Sequence, residues 1–232
     1  MMRPQVRLPH LSAALAGIPA GVQTVGPWSG RRQLFVRFAL EAETATIYTS
    51  DALRNELTRL SGRSHYHSIA IVGGDALSEG EFLAAAFKEA PALRVMIDHD
   101  GQRPEALDAL LHALALVQVT LDGSEGAAWI ERACATIALA AKRQVDNAVA
   151  ILPGAAASDG PLLRIVEQIH DASADAQIVL HPIAERVHEH DRRWVLWLEQ
   201  AMAVHPDVRV LSRWPVTGGT PQEHGTRNAH SG

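Results

Sequence analysis

The sequence predicts an α/β protein, read as a partial, open β/α barrel of about six to seven parallel strands in one domain. Three observations predict it. Apolar runs of strand length alternate with helical patterns almost without a break. The strand runs are nearly continuous in Val, Ile, Leu and Ala, as expected when helices cover a parallel sheet. About seven such units fit into 232 residues, fewer than a closed eightfold barrel of ~250 residues requires.

The elements follow in order. Met1 to Ala20 is broken by Pro4, Pro9 and His10 and reads as a short strand and loop, not a signal peptide. Residues 34–38, Leu-Phe-Val-Arg-Phe, form the first clear strand. Asp51 is a suitable N-cap for a helix to Leu60. Residues 68–72 are the next strand, ending in Gly73-Gly74. Ser78 is expected to cap a helix to Ala90, with Phe82, Leu83 and Phe87 at helical spacing. A strand at 93–97 precedes a helix opened by Pro104, a residue suited to a first turn. The strand 116–121 stops at Asp122-Gly123, and the longest helix covers 125–143. Strand 145–152 ends at Pro153-Gly154. A helix at 162–171, strand 177–180, helix 191–204 and strand 208–211 complete the set. The polar, Gly-rich tail 217–232 reads as disordered, leaving one domain over 1–216.

Composition narrows the function. The net charge is −5 with no long run of one sign, which argues against non-specific nucleic-acid binding. No apolar run approaches the ~20 residues of a transmembrane helix, and the reading is cytoplasmic. Cys134 is the only cysteine, so neither an internal disulfide nor a thiolate-held iron–sulfur cluster can form within one chain. Cys134 itself reads as a small buried residue in an Ala-rich helix.

In parallel α/β folds the ligand site lies at the carboxyl ends of the strands. Those ends carry Gly73-Gly74-Asp75, Asp98-His99-Asp100-Gly101, Asp122-Gly123, Pro153-Gly154, His181-Pro182 and Ser212-Arg213-Trp214. The Gly-Gly turn would let backbone N–H groups approach an anionic or zwitterionic ligand, with Asp75 accepting from an ammonium; simple turn chemistry is the competing reading. Asp98, His99 and Asp100 offer acid/base or metal-ligand groups, against a turn in which Asp100-Gly101 only supplies the bend. A zinc site drawn from His99, His181 or His188 matches no recognised ligand spacing. His65-Tyr66-His67 precedes a strand and reads as a surface loop at the opposite end; His188-Glu189-His190-Asp191 reads as a helix start. Trp194, Trp197 and Trp214 are either interface anchors or a cover for the open side, the second being favoured.

Several segments together resemble the radical S-adenosylmethionine superfamily, and within it the 7-carboxy-7-deazaguanine synthases of the queuosine pathway. The stretch from Val22 to Ala39, with Gln23, Gly26, the Gly30-Arg31 pair and the strand Phe35-Val36-Arg37-Phe38-Ala39, is similar to that family's opening. Gly73-Gly74-Asp75 takes the place of its Gly-Gly-Glu motif, which holds the amino group of S-adenosylmethionine. Asp98-His99-Asp100-Gly101 resembles its Glu-Thr-Asn-Gly stretch, His181-Pro182 its Gln-Pro, and the segment from Arg209 to Pro215 its closing Pro-Gln-x-His strand. The likeness spans Val22 to Gly219 and keeps motif order. The three cysteines of its CxxxCxxC motif fall on Glu41, Ala45 and Tyr48, and its substrate-contacting glutamate on Val25.

The resemblance therefore implies the family's frame without its [4Fe–4S] cluster and without radical chemistry. The expected function is a degenerate, non-catalytic protein that binds a small molecule or a partner. S-adenosylmethionine is a candidate ligand, Arg37 or Arg213 a carboxylate clamp, and a homodimer the carry-over from the family. The alternative is a repurposed enzyme, such as a metal-assisted hydrolase using Asp98, His99, Asp100 and His181.

Overall fold

The computed structural model describes residues 11–41, 43–89, 91–154, 157–182 and 192–212. Ten strands form one mostly parallel, open sheet. Strands β3 (Arg32–Phe38), β5 (Ser68–Val72), β6 (Arg94–His99), β7 (Leu116–Leu121), β8 (Asp146–Ile151), β9 (Gln177–Leu180) and β10 (Val208–Val210) run parallel and lie side by side in chain order. Beyond β3 the sheet continues through β1 (Ser12–Gly17), within the segment Met1 to Ala20 expected as a short strand and loop, and through β4 (Thr46–Thr49), which the apolar pattern does not announce, both antiparallel to their neighbours; β2 (Ala20–Val22) pairs antiparallel with the start of β3. The sheet runs from β10 to β4, and no ladder joins these two edges among the described residues. The expected α/β class and the parallel seven are thus present, in a sheet that is open.

Helices α1 (Ser50–Ser61), α2 (Gly80–Ala86), α3 (Pro104–Leu107), α4 (Ala127–Lys142), α5 (Asp159–Ala172) and α6 (Arg192–Val204) connect these strands. Consecutive parallel strands with crossovers of one hand place all helices on one face. The side-chain packing follows this rule. Leu34, Val36, Ile69, Ile71, Val95, Ile97 and Val117 pack with Leu53, Leu57, Phe82 and Leu83 of the helices. Val119, Leu121, Val149, Ile151, Ile178 and Leu180 pack with residues of α4, α5 and α6, among them Trp194 and Trp197. The two tryptophans are therefore core, with Trp197 only 1% exposed. The opposite face of the same strands buries Phe35, Ala70, Val72, Met96, Leu116 and Ala148, and among the described residues the apolar side chain packed on this cluster from outside the strands is Trp28.

Local details correct two expectations. The cap of α1 is Thr49, whose hydroxyl accepts from the Ala52 N–H at 3.2 Å; Asp51 lies inside the first turn and pairs with Arg54. Removing that acceptor by Thr49→Ala is expected to lower stability by about 1 kcal/mol, checked by the urea midpoint. Ser78 caps no helix: it sits in a 3-10 turn, Ala76–Glu79, and its hydroxyl donates to the Asp75 carbonyl at 2.7 Å before α2 begins at Gly80. The helix opened by Pro104 is a single turn, followed by a second short turn at Leu111–Ala113. Cys134 is half-buried and packs against the second core cluster, and burial raises its thiol pKa. The tail 217–232 and the cluster His188 to Asp191 lie outside the described residues.

A buried histidine fixes α5 against the last strand connection. His205 is fully buried, and its Nε2–H donates to the Ala176 carbonyl at 2.6 Å. Its Nδ1 is then an acceptor, filled by the Nδ1–H of His170 at 3.1 Å.

Candidate functional site

The face of the sheet opposite the helices is where the structure gathers buried polar side chains. Alternation along β6 and β7 directs Asp98, Gln118 and Thr120 to this face. Asp98 and Gln118 are direct partners in the ladder. The Thr120 hydroxyl donates to Asp98 Oδ1 at 2.6 Å, and the Gln118 amide donates to Thr120 Oγ1 at 3.4 Å. His181, fully buried, follows the end of β9 and is held by its backbone N–H on the Ile151 carbonyl at 2.7 Å. Lower on the same face, Gln33 donates to Ser68 Oγ at 2.8 Å and to Met96 Sδ at 3.3 Å.

Loop 23–31, between β2 and β3, lies over this row. It closes as a tight hairpin: the Gln23 N–H donates to the Arg31 carbonyl at 2.9 Å, and the Gly30 N–H donates back to Gln23 at 2.8 Å. The Gly26 N–H reaches His181 Nε2 at 2.8 Å, a contact between residues 155 positions apart. Gly26 has φ +78, and a Cβ built there would lie 1.8 Å from Gln118 Oε1. The loop backbone is thus pressed onto the sheet at a point that only glycine fits. Trp28 completes the cover, under the Arg94 guanidinium at 4.7 Å and edge-on to His67 at 4.8 Å. Burial, and secondarily Arg31 and Arg94, lowers the His67 pKa. Two buried polar atoms here, Gln23 Nε2 and Gln118 Oε1, have no hydrogen-bond partner among the described residues.

This arrangement constrains chemistry. Because Gly26 N–H donates to it, His181 Nε2 is the unprotonated nitrogen, and its lone pair is occupied. His181 can serve as a base or a ligand only if the loop lifts.

The strand-end residues singled out by sequence divide between surroundings. Gly73 and Gly74 both have positive φ, and their crowding comes from the chain itself: a Cβ on Gly73 would lie 2.7 Å from the Phe38 carbonyl oxygen, and one on Gly74 3.1 Å from that of Ala39. Close packing on the end of β3 accounts for both glycines. The Asp75 carboxylate pairs with Arg103 at 2.5 Å, so an ammonium ligand would have to displace a guanidinium. Arg37 pairs with Glu43 at 3.1 Å, the two being about one-third exposed. Arg213 lies outside the described residues.

Asp98 and His99 are neighbours in β6 and so point to opposite faces, while Asp100 is exposed and its carboxylate accepts from the Gln102 N–H at 3.1 Å. His99 accepts from the Gly101 N–H through Nδ1 at 3.0 Å, and its buried Nε2 has no hydrogen-bond partner among the described residues. Asp98, His99 and Asp100 therefore do not converge, and no group of three His, Cys, Asp or Glu among the described residues is placed to hold a metal ion.

Burial drives the His99 pKa down to about 4, against the opposing pull of Asp100 and Asp75. The sign follows from linkage. His99 is neutral when folded and titrates near 6.5 when unfolded, so its contribution is intact above pH 6.5 and is lost as pH falls from 6.5 toward 4. Urea unfolding at pH 7.5 and pH 4.5 is expected to show about 2 kcal/mol less acid loss in His99→Asn than in the parent. Asparagine keeps an acceptor for Gly101 N–H and cannot protonate.

Glu41, Ala45 and Tyr48, where the resemblance would put cluster cysteines, lie at the far edge of the sheet. Glu41 and Ala45 are exposed, and Tyr48, on β4, packs partly against the helix-side core. A groove of about 350 Å³ lies at the other side of the strand ends, lined by Glu125, Ile130, Pro161, Arg164, Ile165 and Gln168. Glu125 accepts there from the N–H groups of Asp122 (2.5 Å) and Gly123 (2.9 Å), and burial raises its pKa.

Sequence reasoning placed Gln23, Asp98 and His181 among candidate ligand residues, and the structure brings Asp98 and His181 to one buried face, with Gln23 in the loop over it. It missed Gly26, Gln118 and Thr120. The signal was available in the last two: Gln118 and Thr120 are the only polar residues of Leu116–Leu121 and stand two apart, on one face of the strand. No family model matches the chain, and no curated protein matches it. No helix among the described residues is long and apolar enough to cross a membrane.

Proposed function

We propose that this chain is a non-catalytic binding protein on a partial β/α barrel frame, a degenerate relative of the 7-carboxy-7-deazaguanine synthases acting in the cytoplasm without radical chemistry. The observation that carries the proposal is the Gly26 N–H on His181 Nε2 at 2.8 Å: the chain's own loop takes the face that a reaction on this frame would need open. Glu41, Ala45 and Tyr48 stand where cluster thiolates belong, and Cys134 alone cannot replace them.

The ligand reading rests on the polar row Asp98, Gln118, Thr120 and His181 and on the strand-end turn with Asp75 and Asp100. S-adenosylmethionine and deazaguanine compounds are the first ligands to try. The methionine ammonium of S-adenosylmethionine would exchange with Arg103 on Asp75, and a purine-like edge would reach Asp98 and Gln118 only by displacing loop 23–31. Thermal-shift titration tests this. A ligand binding only the folded state at 100 times its Kd raises stability by about 2.7 kcal/mol. The expected result is a saturable rise in Tm that is reduced in Asp98→Asn or Asp75→Asn. No shift with any of these compounds overturns the ligand reading.

A further inference from the structure

The amino ends of the parallel strands carry positive and aromatic side chains that the polar row does not use. Three elements meet there on Trp28. The Arg94 guanidinium, from the start of β6, lies over the indole at 4.7 Å. The His67 ring, from the turn into β5, meets it edge-on at 4.8 Å. Arg31, at the end of loop 23–31, donates its N–H to the Trp28 carbonyl at 3.1 Å. The charges of Arg31 and Arg94 both act on the His67 ring, so both guanidiniums are its near neighbours.

Hydrogen-bond accounting fixes where the imidazole carries its proton. Ser68 is fully buried, and its Oγ accepts from Gln33 Nε2 at 2.8 Å. The hydroxyl hydrogen then goes to His67 Nδ1 at 2.9 Å, which makes Nδ1 the acceptor and Nε2 the protonated nitrogen. That Nε2–H has no acceptor among the described residues. Carboxylates are scarce around it. Arg31 is exposed and has no acidic partner among the described residues. Arg32, stacked on Tyr66 at 4.6 Å and bonded to Ser64 Oγ at 2.6 Å, has none either. Arg94 has Asp146, at 3.4 Å. In a chain of net charge −5 this is a local excess of the opposite sign.

We propose that Arg31, Arg94 and the His67 Nε2–H form a binding site for one phosphomonoester group carried on a small molecule. The donors come from a loop and two strand starts, and three separate donors suit the three terminal oxygens of a phosphomonoester. A carboxylate offers two oxygens in one plane and would leave a donor unfilled. Guanidinium groups engage phosphate through paired N–H donors, and the indole holds the Arg94 plane in place before a ligand arrives. An incoming dianion competes with Asp146 alone, across a long contact. The donors gather on a single indole, whereas a polyanion needs a stripe of such charges, and the chain shows no long run of one sign. This end of the sheet is opposite Asp75 and His181, so the site stands or falls apart from the ligand reading above.

Imidazole NMR during titration with inorganic phosphate and with a nucleoside monophosphate, at constant ionic strength, tests it. The His67 signal is assigned by its loss in His67→Gln. The expected result is a saturable shift of that signal together with a rise in the His67 pKa, because a bound anion offsets the two guanidiniums. Arg31→Gln, at an exposed position, is expected to weaken binding about tenfold, the loss of one charged hydrogen-bonded pair. Arg59→Gln removes a guanidinium paired with Glu56 on α1 and is expected to leave binding unchanged. No saturable shift, or equal binding by Arg31→Gln and the parent, overturns the inference. Tighter binding of a short single-stranded oligonucleotide than of the nucleoside monophosphate overturns the choice of a single phosphate group.

Discussion

Gly26→Ala is expected to lower stability by about 3 kcal/mol and Tm by about 6–12 °C. Two contributions add. An L-residue at φ +78 is strained by about 1 kcal/mol or more, and the new methyl group would lie 1.8 Å from Gln118 Oε1. The obstructing atom ends a side chain, but Gln118 is fully buried in a central strand and has no solvent to swing into. Either it rotates within a packed face or the loop lifts and the Gly26–His181 hydrogen bond breaks, leaving a buried acceptor unfilled. A double-mutant cycle separates these effects from a general loss of packing. Gln118→Ala removes the obstruction, so the two substitutions are expected to couple by about 1 kcal/mol or more, the pair costing less than the sum. Strict additivity would mean that loop and strand do not meet as described.

Gly73→Ala is expected to be comparably damaging, about 3 kcal/mol, for a different reason. Its φ is +80 and its Cβ would sit 2.7 Å from the backbone oxygen of Phe38. A side chain can turn aside; a β3 carbonyl cannot, because β3 is laddered to β5 on one side and to β1 and β2 on the other. Gly30→Ala is the control: φ is also +80 there, but nothing lies within 4 Å, so about 1 kcal/mol of backbone strain alone is expected. Chemical denaturation of the two variants in parallel checks the contrast. Equal costs would show that the Gly73-Gly74 turn is not crowded by β3 and would return it to the list of ligand-facing turns.

The parallel half of the fold was legible because its strands are buried on both faces. Ser68–Val72 shows no exposed position, and such a run reads as a strand without any knowledge of its partners. Apart from the strand expected within Met1 to Ala20, the antiparallel edge was not legible, for the opposite reason. β2 and β4 are short and β1 is only partly buried; β1 and β2 gain their identity from pairing with β3, and β4 from pairing with β1, which no local pattern records. Helix starts failed where capping chemistry offered rivals: Thr49 and Asp51 are both good caps two residues apart, and only the geometry of the entering strand selects Thr49. At the candidate site, strand-end logic found Asp98 and His181 correctly as neighbours of one buried face. It could not foresee that loop 23–31 lies on that face, since the contact that holds it spans 155 residues. The same logic grouped Asp98, His99 and Asp100 by adjacency, although successive strand residues point apart.

Hydrogen exchange at the Gly26 amide tests the closed face most directly. A glycine N–H in an exposed hairpin loop exchanges within seconds at neutral pH, whereas one donated to a buried imidazole exchanges only through opening. The account predicts Gly26 protection close to that of the central β7 amides and its loss in His181→Leu, with the Gln23 and Gly30 amides following. Exchange of the Gly26 amide at the rate of an unprotected loop in the parent protein would contradict it.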